Sequence, residues 1–219
     1  MKRSEINYYI DTFAKFCQKN NYFLPVFDLS SKKVTKELID RQLGWDITDF
    51  GEGQFKKTGL SLFTIRNGNP KEKNTIPYCE KTMFSLPGQK TPCHYHKKKT
   101  EDIFVRAGSN LIIRIWPSKF QEKKDGLKIK VLFNGSEHRE IVSGRKISLK
   151  PSETVTLTPV HAHEFYADPR SSGTLIGEVS TYNDDQGDNY FIDKVARFPE
   201  IEEDEKIKHY LVCDYQKKN

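Results

Sequence analysis

Cysteine is scarce and unpatterned: Cys17, Cys79, Cys93 and Cys213 form no CxxC pair, which excludes a zinc ribbon and a dithiol redox site and leaves reduced, partly buried thiols. Long apolar runs are missing too. Stretches such as Leu111–Ile113 and Thr174–Ile176 fall far short of the roughly 20 residues that span a bilayer, so no membrane segment is expected. The opening Met1-Lys2-Arg3-Ser4-Glu5 leads into an amphipathic pattern instead of the apolar block of a secretory signal, and a cytoplasmic protein is the expectation. The net charge is +6, yet the lysines are scattered among acids and no motif gathers them on one element, so neither a nucleic-acid nor a membrane partner is expected. Internal repeats and low-complexity linkers are also lacking.

What is present is an ordinary globular composition, 36% apolar and 12% aromatic over 219 residues, enough for one domain with an appended segment. Ile6, Ile10, Phe13 and Cys17 recur at helical spacing and predict an amphipathic helix from Ser4 to Lys19, with Ser4 as its cap. A second helix is predicted from Thr35 to Leu43, ending at Gly44. Residues 1–58 are therefore read as a mainly helical N-terminal segment packed on the remainder of the chain.

After Gly59 the texture becomes short segments rich in β-branched and aromatic residues, broken by turns. Strands are predicted at 60–66, 78–86, 103–106, 111–116, 128–133, 154–158, 163–166 and 174–182, with Asn134-Gly135 closing a type I′ hairpin. Strands in series with no helical pattern between them argue for a sandwich or barrel over residues 59–219 and against a parallel α/β sheet. In the C-terminal extension the acidic stretch 200–205 reads as a solvated turn or helix start, and Tyr210–Cys213 as a last edge strand.

The chemistry is concentrated in Gly88-Gln89-Lys90-Thr91-Pro92-Cys93-His94-Tyr95-His96 and in Glu101. Strand side chains alternate faces, so His94 and His96 converge on one point, and a bend would return the Glu101 carboxylate to it. Nitrogen and oxygen donors with open positions suit a catalytic divalent ion. A fourth ligand would come from His161-Ala162-His163; His163, which begins the apolar stretch Phe165-Tyr166, is preferred to His161. The alternative is a surface HxH pair flanked by lysines. The spacing from Gly88 through His94-x-His96 and Glu101 to Gly108 resembles the first motif of the cupin superfamily, and His163 stands where the second motif would supply its histidine, although Pro151-Ser152-Glu153 replaces the usual proline-x-glycine. The resemblance implies a mainly β cupin double-stranded β-helix, a jelly-roll barrel, here with an N-terminal helical segment.

Longer strings narrow the likeness. Residues 44–51 (Gly-Trp-Asp-Ile-Thr-Asp-Phe-Gly), residues 59–68, Lys99-Thr100-Glu101-Asp102-Ile103, Gly177-Glu178-Val179-Ser180, Asn183-Asp184-Asp185, Asp188-Asn189 and residues 202–205 resemble the D-lyxose ketol-isomerase family along almost the whole chain. That resemblance implies an enzyme that interconverts D-lyxose and D-xylulose, and D-mannose and D-fructose, with Mn²⁺ as the divalent metal and a monosaccharide as its small-molecule partner. An aldose becomes a ketose by losing its C2 proton and regaining one at C1, so a base is needed beside the metal.

Glu178, a lone charge in the strand Thr174–Ser180, is the first candidate for that base; the alternative is an outward-facing glutamate. Asp188 is a second acid for sugar hydroxyls or a proton relay, or else part of a solvated turn. Lys90 is favoured as the stabiliser of the oxyanion over Lys99, which ends a lysine run. Phe165 and Tyr166 could wall the sugar or simply pack the core. A sugar-phosphate isomerase, an iron dioxygenase and a non-catalytic sugar-binding module are the rival functions, and a homodimer is the expected assembly.

Overall fold

Apolar residues at helical spacing do form a helix at the start of the chain, α1 (Arg3–Lys19), which buries Ile6, Ile10, Phe13 and Cys17. The computed structural model describes residues 1–27, 35–69, 72–185 and 187–216. The helix begins before Ser4, with Lys2 at the cap position. Ser4 instead bonds Asp204 through its backbone N–H (2.9 Å) and hydroxyl (2.7 Å).

The second helix, α2 (Lys36–Asp40), is shorter than predicted. The chain turns at Gln42, whose φ of 53° no helix accepts, and continues from Gly44 as strand β1 (Gly44–Thr48). The first 58 residues are thus less helical than the sequence suggests. Trp45 and Ile47 carry a strand period of two, which is hard to see in so short a segment.

The remaining strands are β2 (Leu60–Arg66), β3 (Tyr78–Ser85), β4 (Lys90–Tyr95), β5 (Glu101–Gly108), β6 (Leu111–Pro117), β7 (Lys128–Phe133), β8 (Glu137–Val142), β9 (Ile147–Leu149), β10 (Thr154–Leu157), β11 (His161–Ala167), β12 (Thr174–Thr181) and β13 (Tyr190–Phe191). They build two antiparallel sheets, in the orders β1-β2-β3-β12-β5-β10-β7-β8 and β13-β4-β11-β6-β9. From β3 to β6, and again from β10 to β12, the chain alternates between sheets, so their inner faces enclose one core containing Leu62, Met83, Ile103, Ile113, Val155 and Phe165. Asn134 (φ 50°) and Gly135 (φ 73°) close β7 on β8, and the Ser136 N–H donates to the Phe133 carbonyl at 3.2 Å, as a type I′ turn requires.

The two ends of the chain meet outside the large sheet. Phe13 of α1 packs edge-on against Trp45 (5.3 Å between centroids) and stacks on Phe84 (5.6 Å). The acidic stretch is no mere solvated turn: Glu203 binds Arg3 at 2.7 and 2.8 Å, and Glu205 accepts from Asn7 at 2.9 Å. These carboxylates sit at the amino end of α1, where the helix dipole favours negative charge. The expected edge strand at 210–213 is absent. Leu211 makes a single bridge to Trp45, and its N–H donates to Asp214 (2.8 Å) as the chain turns into α3 (Val212–Gln216).

A candidate metal centre and its surroundings

Strand β4 carries a bulge that decides which of its side chains face the core. His163 of β11 pairs with His94 while Phe165 pairs with Thr91, so a two-residue step on one strand matches a three-residue step on the other. An extra residue reverses the alternation of faces. Thr91, His94 and His96 therefore line the inner cavity, whereas Cys93 and Tyr95 pack outside with Trp116 and Ala162.

Ligating atoms of His94, Glu101 and His163 lie within 4.8 Å of one another. His96 brings Nε2 to 3.5 Å from Glu101 Oε1, and His163 Nε2 stands 3.2 Å from the same oxygen. The four side chains are buried, Glu101 being 2% exposed and His163 1%. His94 Nδ1 bonds the Pro92 carbonyl at 2.8 Å and His96 Nδ1 bonds the Asp188 carbonyl, which makes each Nδ1 a donor and leaves Nε2 with its lone pair.

Burial lowers the His94 pKa to about 3 and holds His163 well below the usual imidazole range, so both rings are neutral. Burial pushes the Glu101 carboxyl up, but Lys99 and His96 outweigh it and keep the group ionised. His96 Nε2, Glu101 Oε1 and both ring nitrogens of His163 find no hydrogen-bond partner among the described residues. Neutral imidazoles and a carboxylate with unsatisfied buried atoms fit a divalent cation, whose ligands must be deprotonated.

Beside this cluster runs a chain of opposite charges. Lys99 Nζ lies 2.7 Å from Glu101 and 3.0 Å from Glu178; Lys81 Nζ lies 3.7 Å from Glu178 and 3.8 Å from Asp185. Arg197 Nη2 ends the chain, donating to Asp185 and Asp46 at 2.8 Å each. Desolvation lowers the Lys99 pKa, but Glu101 and Glu178 more than offset this and keep it cationic. Burial raises Glu178, and Lys81 and Lys99 overcome that rise to hold it below the ordinary carboxylate range. Glu178 is 3% exposed and lines the cavity, while its neighbour Val179 faces solvent.

Two residues singled out in the sequence stand elsewhere. Lys90 lies beyond the bulge on the outer face, 37% exposed, with Nζ 3.0 Å from Glu164; the cations that line the cavity are Lys81, Lys99 and Arg197. The lysine run misleads because only Lys99 folds inward. Asp188 is buried, but its carboxylate accepts the backbone N–H groups of Lys97 (2.8 Å), Lys98 (3.1 Å) and Lys99 (2.9 Å), which commits it to the turn between β4 and β5 instead of to a sugar.

His161 points away, its Nε2 bonded to the Lys130 carbonyl at 3.1 Å. Phe165 lines the cavity and Tyr166 does not. Sequence reasoning missed Lys81, Arg197 and Phe191, whose ring lies 5.6 Å from His94. Asp185 was visible only as part of an acidic string; its neighbour Gln186 lies outside the described residues.

Comparison with known proteins bears on what the site does. A family model described as D-lyxose isomerase matches residues 1–215. The chain is 36% identical to a D-lyxose/D-mannose isomerase of Escherichia coli O157:H7 over 225 residues, 99% of each chain. It is also 36% identical to one of Serratia proteamaculans over 227 residues, 98% of each. Among solved structures, an L-ribose isomerase of Cellulomonas parahominis with L-psicose superposes with a TM-score of 0.63 at 20% identity, covering 92% of this chain and 98% of that one. One of Acinetobacter sp. DL28 in complex with L-ribose gives 0.60 at 19%, with the same coverage. At such identities the likeness speaks for the cupin-like fold alone.

Proposed function

Because the chain belongs to the D-lyxose isomerase family, which makes it an aldose–ketose isomerase, we propose that it interconverts D-lyxose with D-xylulose and D-mannose with D-fructose, using manganese held by His94, His96, Glu101 and His163. The observation that supports this most is the meeting of that donor set with a buried Glu178 carboxylate and the Lys99 ammonium in one cavity.

A divalent ion bound there supplies a Lewis acid that polarises the sugar carbonyl. Glu178 removes the C2 proton of the open-chain aldose. The C–H electron pair becomes the C1=C2 double bond of an enediol, and the former carbonyl oxygen takes up the displaced pair. Lys99, cationic and 3.0 Å from Glu178, faces the negative charge that develops on the sugar oxygens. The proton on O2 passes to O1, the C2=O bond forms, and Glu178 returns its proton to C1. Nothing is gained or lost overall, as an isomerisation demands. Lys81, 3.7 Å from the same carboxylate oxygen as Lys99, helps keep Glu178 ionised between turnovers. Leu62, Met83, Phe165 and Phe191 limit water at the reacting carbons.

The substrate in this reading is an uncharged sugar. Lys81, Lys99 and Arg197 are each paired with acids, leaving no cationic cluster for a phosphate and favouring a free monosaccharide over its phosphate ester. We place the enzyme in the cytoplasm as a homodimer. No helix among the described residues is long and apolar enough to cross a membrane. Tyr78 and Val179, each 43% exposed on neighbouring strands, give a second copy an apolar surface to cover. The deciding experiment incubates the manganese-loaded protein with D-lyxose or D-mannose and follows ketose formation and oxygen uptake. Ketose without oxygen consumption is expected; oxygen consumption, or bound metal with no ketose from either sugar, would reject the proposal.

A further inference from the structure

Buried polar side-chain atoms without partners are rare in folded proteins because each gives up its hydration and gains no bond in return. Ten such atoms occur among the described residues, and seven belong to residues lining the catalytic cavity. Three of the seven, one each on His96, Glu101 and His163, fit the metal, and a fourth is the second ring nitrogen of His163, which cannot bind the same ion. The other three are Thr91 Oγ1, Asn189 Oδ1 and Arg197 Nη1, and neither the metal nor the proton transfer uses them. We infer that Thr91, Asn189 and Arg197 form a subsite that binds the sugar's hydroxyl groups beyond C2, an inference that rests on the sugar-isomerase reading of the same cavity.

Their chemistry suits that ligand. A hydroxyl group both donates and accepts; Thr91 Oγ1 does the same, Asn189 Oδ1 accepts, and Arg197 Nη1 donates. Arg197 Nη2 already holds Asp46 and Asp185 at 2.8 Å each, so the guanidinium offers a fixed donor with its charge balanced, suited to a neutral group more than to an anion. Its position also fits the far end of the substrate, since Asp185 and Lys81 stand between it and Glu178. Thr91 is 2% exposed and faces the cavity only because the β4 bulge turns it there in place of Lys90. A threonine kept polar in an apolar wall has a chemical reason if a hydroxyl group meets it.

Thr91→Val tests the inference because it removes the hydroxyl at nearly constant shape. The metal-loaded full-length variant should melt no lower than wild type, since a buried unpartnered oxygen is replaced by a methyl group. Calorimetric binding of the unreactive alditol made by reducing D-lyxose should weaken about 3- to 10-fold, the loss of one neutral hydrogen bond. Arg197→Lys should weaken the same binding about 10-fold or more.

Alditols lacking one hydroxyl beyond C2 complete the cycle, and for one of them Thr91→Val and wild type should bind equally. The inference fails if wild type does not bind the alditol. It also fails if Thr91→Val binds within about twofold of wild type, or if every deoxy analogue loses affinity by the same factor as the parent. Binding with the expected pattern but no turnover of any aldose would reject the isomerase reading and leave the subsite standing.

Discussion

Glu178 and Lys99 derive their properties from each other. An isolated carboxylate at 3% exposure would hold its proton, and an isolated ammonium would lose one, but at 3.0 Å each keeps the other charged. Glu178→Gln removes the base while leaving a side chain of the same shape. It should retain bound manganese near one equivalent and lose about 10²- to 10⁴-fold in kcat, measured by ketose formation alongside elemental analysis. Lys90→Met is the companion. Its carboxylate partner Glu164 keeps Arg114 (3.1 Å) and Lys123 (3.3 Å), so kcat should stay within about threefold of wild type, a limit well under one hydrogen bond to a charged group. Intact turnover in the first variant would reject Glu178 as the base, and collapse in the second would return the oxyanion role to Lys90, as read from the sequence.

At the scale of elements, the turn joining β4 to β5 carries as much of the site as either strand. The Asp188 carboxylate gives three successive N–H groups at 97–99 an acceptor within the protein, while its backbone carbonyl holds His96 Nδ1. In the proposed mechanism Asp188 thereby positions His96 and Lys99 without touching the reacting atoms. Asp188→Asn puts an amide donor against those N–H groups. Manganese affinity measured by competition with a chelator should fall about 10-fold, as for other groups that orient metal ligands, with kcat falling while KM changes little. Unchanged affinity would reduce the residue to a support of the turn.

The whole molecule is closed by its two ends. Arg3, fully buried, bonds Asp214 at 2.8 and 3.0 Å and Glu203 at 2.7 and 2.8 Å, fastening α1 to the last helix, while Arg197 joins Asp46 of β1 to Asp185. We propose that residues 1–58 and 59–219 fold as one structural unit. The two tryptophans allow a test, since Trp45 lies against α1 and Trp116 lies in the smaller sheet, its indole N–H on Asp125 at 2.7 Å. Each single-tryptophan protein should unfold in urea with the same midpoint. Arg3→Met should lower both midpoints together by an amount equivalent to about 3–5 kcal/mol, the cost of leaving Asp214 buried without its partner. An earlier transition at Trp45 alone would show a separable N-terminal segment.

Much of this was legible in the chain itself. Alternation along a strand is local, so His94-x-His96 and the period of two around Glu178 could be read without any partner strand, and helical spacing marked α1. Likeness along the whole chain selected sugar isomerisation, which ligand types alone only permit. Tertiary structure decided the rest. That Lys90 faces outward while Thr91 faces the cavity depends on a bulge set by the pairing of β4 with β11. Whether Asp188 meets solvent, sugar or backbone depends on a turn more than 80 residues away in sequence. Arg197 joins the site only because Asp46 of β1 and Asp185, 139 residues later, are brought together around it. The sequence by itself determined the donor types and their local phase; parity across paired strands and the meeting of distant charges arise only from packing, because both are properties of two segments at once.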